Sequence, residues 1–211
     1  MAISYPLTFP TVTGISSVVI QPNTTVAVTR SPFTHEPEVF VHQGQWLEAE
    51  IELPPMKRVS FAVWQAFRLK LNGQEGTFTM GIPDHDTAAG SASSAPGTPL
   101  VKGGSQTGNS FEMDGAPNGA TGYLKAGDLI QLGTGVTARL YMVLNDADSD
   151  GSGNVTLDIW PKITAANSPT NDAAVVVDTC IGLWRMAVNP MTWSADTAAI
   201  YGLSFQAISE A

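Results

Sequence analysis

Residues 46–53 read W-L-E-A-E-I-E-L. Leu47, Ala49, Ile51 and Leu53 alternate with Glu48, Glu50 and Glu52, the period of two that sends successive side chains to opposite faces of a strand. One apolar face and one carboxylate face predict a strand that lies on a core and turns its other side to water. The same alternation returns near the C-terminus, where Tyr201, Leu203, Phe205 and Ala207 are spaced by Gly202, Ser204 and Gln206. Residues 139–144 and 154–160 are two further strand candidates. The turn-rich run 146–153 between them predicts a β-hairpin with a long loop.

A single helix follows the first strand. Pro54-Pro55 precedes M-K-R-V-S-F-A-V-W-Q-A-F-R-L-K-L and Asn72-Gly73 ends it, which predicts a helix over 55–71. At about 100° per residue, Val59, Val63, Ala66 and Phe67 fall on one face and are expected to meet the core. Lys57, Arg58, Gln65 and Arg68 gather on the opposite side, with Phe61 among them and Trp64 at the edge of the apolar stripe. A lone subunit gains little by showing Phe61 to water. Either Phe61 and Trp64, with Lys57, Arg58 and Arg68, anchor a neighbouring subunit, or another loop of the same chain covers Phe61. The row Glu48, Glu50 and Glu52 is a candidate acidic counterpart for the basic face.

Residues 87–122 are rich in Gly, Ala, Ser, Thr and Pro and predict a long loop leading into an inserted module. The expected organisation is mainly β. A β-sandwich core from 1–85 plus 161–211 carries the helix, and a small barrel-like β-module fills 86–160.

Composition narrows the function. The 211 residues carry a net charge of −9, and only 14% are charged. A chain so poor in cations is not expected to bind nucleic acid specifically, because phosphate contact needs a basic field. Cys180 is the only cysteine, which excludes an internal disulfide and a cysteine metal cluster. No signal-peptide pattern and no apolar run of membrane length is legible, so folding in the cytoplasm is expected and no membrane contact.

The chemical motifs each have a structural reading beside the functional one. Asp146-x-Asp148-x-Asp150-Gly151 matches the first half of a calcium loop. The position for the closing carboxylate is Leu157, however, and Asp158 comes one residue late. A solvated hairpin turn uses the same residues, and no metal is expected. His85 lies between Asp84 and Asp86, which could serve as a general base, but His35 and His42 are remote and unspaced for ligation. No nucleophile elbow, P-loop or dinucleotide fingerprint occurs, and neither an enzyme nor a cofactor is expected. Trp46, Trp64, Trp160, Trp184 and Trp193 could line a carbohydrate site or fill cores.

A family resemblance rests on the order of several segments. Ser31-Pro32-Phe33-Thr34 precedes the 46–53 strand, which runs through L-P-P-M-K-R into V-W-Q-A-F-R-L-K-L-N-G-Q-E-G-T-F. L-K-A-G-D-L-I-Q-L follows, and then R-L-Y-M-V-L-N-D-A-D-S-D-G-S-G-N-V-T-L-D-I-W-P-K-I. This succession, over roughly residues 5–205, resembles the distal tail proteins of long-tailed, non-contractile bacteriophages. The resemblance implies a β-sandwich with one helix, often with an inserted barrel. It also implies a homo-oligomeric, hexameric ring in the virion tail, assembled in the host cytoplasm, joining the tail tube protein to the tail-tip hub protein. Larger relatives carry a carbohydrate-binding domain at the C-terminus, and this chain ends soon after its last core strand. The second reading is a carbohydrate-binding β-sandwich that recognises the host surface.

Overall fold

The structure is a computed structural model and describes residues 3–195 and 200–210. The strands in chain order are β1 (Leu7–Thr8), β2 (Ser17–Arg30), β3 (Pro37–Lys57), β4 (Thr77–Met80), β5 (Leu100–Val101), β6 (Gly108–Asp114) and β7 (Leu129–Leu132). They continue as β8 (Arg139–Val143), β9 (Val155–Ile163), β10 (Val175–Val176), β11 (Gly182–Met186), β12 (Ser194–Ala195) and β13 (Ile200–Ser209). The single α-helix among the described residues, α1, spans Arg58–Leu71. The protein is therefore mainly β, with one helix and two sheets, as the alternating patterns predict.

The first sheet has the order β1-β4-β11-β13-β3-β2, with β12 against β13. Leu47, Ala49, Ile51 and Leu53 are buried on one face of β3, and opposite them in β13 stand Leu203, Phe205 and Ala207. The helix closes over this face. Phe9, from the N-terminal segment, sits in the middle of the aromatic cluster, 5.0 Å from Trp64, 5.9 Å from Phe67 and Phe78, and 6.4 Å from Phe205.

The second sheet, β10-β7-β8-β9-β6-β5, curls into a nearly closed barrel. Backbone bonds from Val101 to Ala173, Asp172 to Val101, and Val175 to Pro99 join its first and last strands. Phe111, Met113, Ile130, Leu157 and Ile159 fill it. Its outer wall, through Leu129, Leu140, Met142 and Trp160, packs on the core of the first sheet.

Three sequence expectations are corrected here. The barrel extends beyond residue 160: β9 runs to Ile163, and β10 supplies the strand that meets both β7 and β5. Residues 161–176 therefore belong to the inserted module rather than the sandwich. The helix begins at Arg58 rather than residue 55, because Met56 and Lys57 still pair with Tyr201 and Ile200.

The third correction is the helix face. Phe61, Trp64, Phe67, Arg68 and Leu71 are buried, while Val59 is 83% exposed and Val63 41%. Two apolar stripes compete on this helix, and the aromatic one removes far more surface from water than two valines do. Phe61 stacks on Tyr201 at 4.5 Å, and the Trp64 indole N–H donates to Thr13 Oγ1 at 2.9 Å. Both belong to the core of this chain and are not exposed for contact with another. Arg68 is buried too. Its guanidinium lies 5.5 Å over the Phe205 ring and donates to the Thr192 carbonyl at 3.3 Å. Burial without full hydration pushes its pKa down from the usual arginine value.

Candidate functional site

The most exposed secondary structure is a two-stranded arm. Below its base, β2 and β3 belong to the sheet. Above it, from Val26 to Arg30 and from Pro37 to Val41, every residue is exposed. The change comes at an irregularity where Thr25 alone opposes His42, Gln43 and Gly44. Such a bulge sharpens the local twist and swings the strands away from the sheet. The Cβ of a residue at Gly44 would stand 2.7 Å from Thr25 Oγ1, so this glycine permits the close approach. Two bonds from Lys162 of β9 steady the base, its backbone N–H to Gln45 Oε1 at 2.8 Å and its Nζ to the His42 carbonyl at 3.4 Å.

Register decides which residues share a face of the arm, and it places Ala27 and the 47% exposed Phe40 on the side away from Val26, Val28, Val39 and Val41. Val18 pairs with Ile51, Ile20 with Ala49 and Pro22 with Leu47, all on the core side. The irregularity preserves this parity, so the same row continues as Val26 opposite Val41 and Val28 opposite Val39. The core face of the sheet thus runs on beyond the body as a valine stripe, with these four residues between 44% and 68% exposed. At the tip, Phe33 is 95% exposed in a turn held by Ser31, whose Oγ accepts from the Phe33 and Thr34 amides at 3.3 Å. An isolated two-stranded ribbon is at best marginally stable in water, and this one carries exposed apolar side chains along its length.

A second apolar surface lies on α1. The segment Leu7 to Val12 and the helix residues Ala62, Val63, Ala66, Phe67 and Lys70 border a groove of about 700 Å³. The outer helix stripe that forms its wall is the one whose periodicity predicts core contact. Lys57 and Arg58 are exposed at one end of this helix and Lys70 at the other. Residues 3–16 and the helix contain no acidic residue, in a chain with 19.

The row Glu48, Glu50 and Glu52 lies on the outer side of β3, away from the helix. Glu48 and Glu50 border a shallow cavity of about 280 Å³ with Val19, Gln206 and Ile208. Glu48 accepts from the Trp46 indole at 2.9 Å, and Glu52 from Ser17 Oγ at 3.3 Å. Within one chain, then, the acidic row and the basic helix residues are on different faces of the sheet.

The calcium-like motif is built into the barrel's end. Ala147 and Ser149 point inward while Asp146, Asp148 and Asp150 point out. Each carboxylate has its own donors: Lys125 Nζ and the Ala126 amide on Asp146, the Gly122 amide on Asp148, and Asn154 with the Ser152 amide on Asp150. They stitch two loops together rather than converge on a point. Among the described residues no cluster of three His, Cys, Asp or Glu side chains could hold a metal ion.

These bonds hold two carboxyls below the usual carboxylate range, that of Asp146 through the Lys125 ammonium and that of Asp150 through the Asn154 side chain. A lowered folded pKa means stability that is present above the unfolded value and lost as pH falls through the folded one. Acid unfolding should therefore begin as the pH drops through the ordinary carboxylate range. In Asp150→Asn, a melting-temperature series against pH should show a shallower acid limb. An unchanged limb would remove Asp150 from the account.

His85 is exposed, with Nδ1 3.2 Å from the Pro83 carbonyl. Cys180 is buried, donates to the Leu129 and Val176 carbonyls at 3.3 Å, and has its thiol pushed up to about 12 by burial. Trp64 and Trp184 are fully buried, Trp46 and Trp160 half-buried, and Trp193 is 48% exposed. No described helix is long and apolar enough to cross a membrane. No protein-family model matches the chain, and no curated protein matches it.

Proposed function

We propose that this chain is a structural subunit of a bacteriophage tail tip. It forms a ring between the tail tube and the hub and leaves a channel for DNA. The projecting arm carries the reading: a ribbon whose core-side row continues as exposed Val26, Val28, Val39 and Val41 is built to be covered by another chain. The order of sequence segments that resembles distal tail proteins supports the tail-tip assignment, and that resemblance implies a sixfold ring. The mechanism is geometric, with no chemistry at a site. A net charge of −9 suits a conduit for DNA, since like charge keeps the polymer from adhering to the wall.

The test is Val28→Ser with Val39→Ser. These side chains face solvent in the subunit, so melting should be unchanged, whereas association followed by light scattering should weaken at least tenfold. Parent protein imaged by electron microscopy should show rings with a central opening. A parent chain that stays monomeric at every concentration, and is absent from tail tips, would refute the assignment.

A further inference from the structure

We infer that the irregularity at the arm's base is a hinge, and that Lys162, carried on the inserted barrel, is the positioning residue that sets the arm's direction. The inference concerns the single chain and stands whether or not another chain covers the arm. No residue of the arm from Val26 to Arg30 or from Pro37 to Val41 is buried or half-buried, so its direction is decided at the base. There Thr25 opposes three residues of β3, and backbone groups in such a segment lose their ladder partners.

A second irregularity lies in the barrel. Between the pairs Gly108–Ile163 and Ser110–Asp158, Asn109 alone stands opposite Ile159, Trp160, Pro161 and Lys162. Pairing of β9 with β8 stops at Trp160. Among the described residues, Lys162 therefore has no register partner in either neighbouring strand, and its amide and ammonium can reach outside the barrel. They go to opposite sides of the hinge. The amide donates to Gln45 Oε1 at 2.8 Å, on the last residue that keeps the register of the sheet body. Nζ donates to the His42 carbonyl at 3.4 Å, next to Val41, where the arm's own register begins. Lys162 is itself well anchored. Its neighbour Ile163 is buried in the barrel core, and Trp160 packs on the core of the first sheet. Bonds from such a wall to both sides of a joint hold the joint at one angle, which is the re-aiming use that bulges serve.

The test measures distances by pulsed dipolar spectroscopy between spin labels on pairs of introduced cysteines in the whole chain. One pair, Thr29→Cys with Glu112→Cys, spans arm and barrel. A second, Glu50→Cys with Glu112→Cys, spans sheet body and barrel. All three positions are exposed, and the buried Cys180 stays unlabelled. Without further changes, each pair should give one narrow distance. Adding Gln45→Ala with Lys162→Met removes both bonds, which raises the population of other arm directions roughly tenfold. The arm–barrel distance should then broaden, while the body–barrel distance and the melting temperature stay as they were. Lys162→Arg, which keeps the amide and a cation on a long stem, should leave the arm distance narrow. A broad arm–barrel distance before the bonds are removed, or an unchanged one afterwards, would overturn the inference. So would equal broadening of both pairs, since the barrel and not the arm would then have come loose.

Discussion

Trp64→Ala should destabilise the core of the chain. Deleting a buried indole removes about 3–5 kcal/mol. For a chain of this size that is a fall in melting temperature of roughly 6–20 °C. Trp64 has no exposed surface, and its ring meets Phe9, Phe67 and Phe205. Its N–H also ties the N-terminal segment down through Thr13, so truncation opens a cavity and frees that segment together. Phe61→Ala belongs to the same class, since the ring stacks on Tyr201. Val59→Ala is the contrast on the other helix face. At 83% exposure it should change melting by no more than ~0.5 kcal/mol of stability. Thermal melts of the three variants decide between the two faces. A Trp64→Ala chain that melts with the parent would mean the aromatic stripe is not the core.

The helix shows how much of this fold was legible. Its existence, its end at Asn72 and its place after a strand follow from the Pro-Pro start and the Asn-Gly stop, and Asn72 takes the left-handed conformation such an ending uses. Its orientation does not follow, because apolar residues stand on both sides of it. Periodicity counts positions and weighs Val59 like Trp64, whereas burial scales with area. The strands with clean alternation, 46–53 and the C-terminal one, have their predicted faces: Leu47, Ala49, Ile51 and Leu53 pack inward, and so do Leu203, Phe205 and Ala207.

The arm was not legible. Its apolar runs are only three residues long, Val26-Ala27-Val28 and Val39-Phe40-Val41, and prolines at 22, 32 and 37 punctuate them like loops. A ribbon with water on both faces has no burial to impose a pattern. Pairing register alone reveals that its valines extend the core row, and register is long-range information. The expectation that basic helix residues face outward held for Lys57 and Arg58 and failed for Arg68, whose stem and guanidinium pack on Phe205. The acidic turn is the converse case. Its residues were read correctly as a turn, but the bonds from residues 122 to 126 that make it a fastener come from a loop twenty or more positions away.

Asp128 gives the barrel its most consequential polar contact, and nothing in L-K-A-G-D-L-I-Q-L marks it out. The side chain is 6% exposed. One oxygen accepts from the Ala89 amide at 2.7 Å, and the other accepts from Lys125 at 2.7 Å and Gly90 at 3.3 Å. Those donors belong to the linker that enters the barrel and to the turn before β7, so one carboxylate fixes both. The linker can lie there only because residue 90 is glycine: a Cβ would come within 2.3 Å of the Tyr123 carbonyl. Ser91 and Ala92 then donate to Gly122 and Tyr123 and complete the join. Asp128→Ala leaves three amides without their acceptor, at about 1–3 kcal/mol for each one kept from water. The expected loss is at least ~3 kcal/mol, with faster amide hydrogen exchange through residues 87–93 before exchange rises elsewhere. Asp128→Asn should fall between, because one oxygen remains while the new amide group faces a donor. Melting and exchange in Asp128→Ala that match the parent would mean water replaces the carboxylate at no cost, and that the linker is held by its backbone bonds alone.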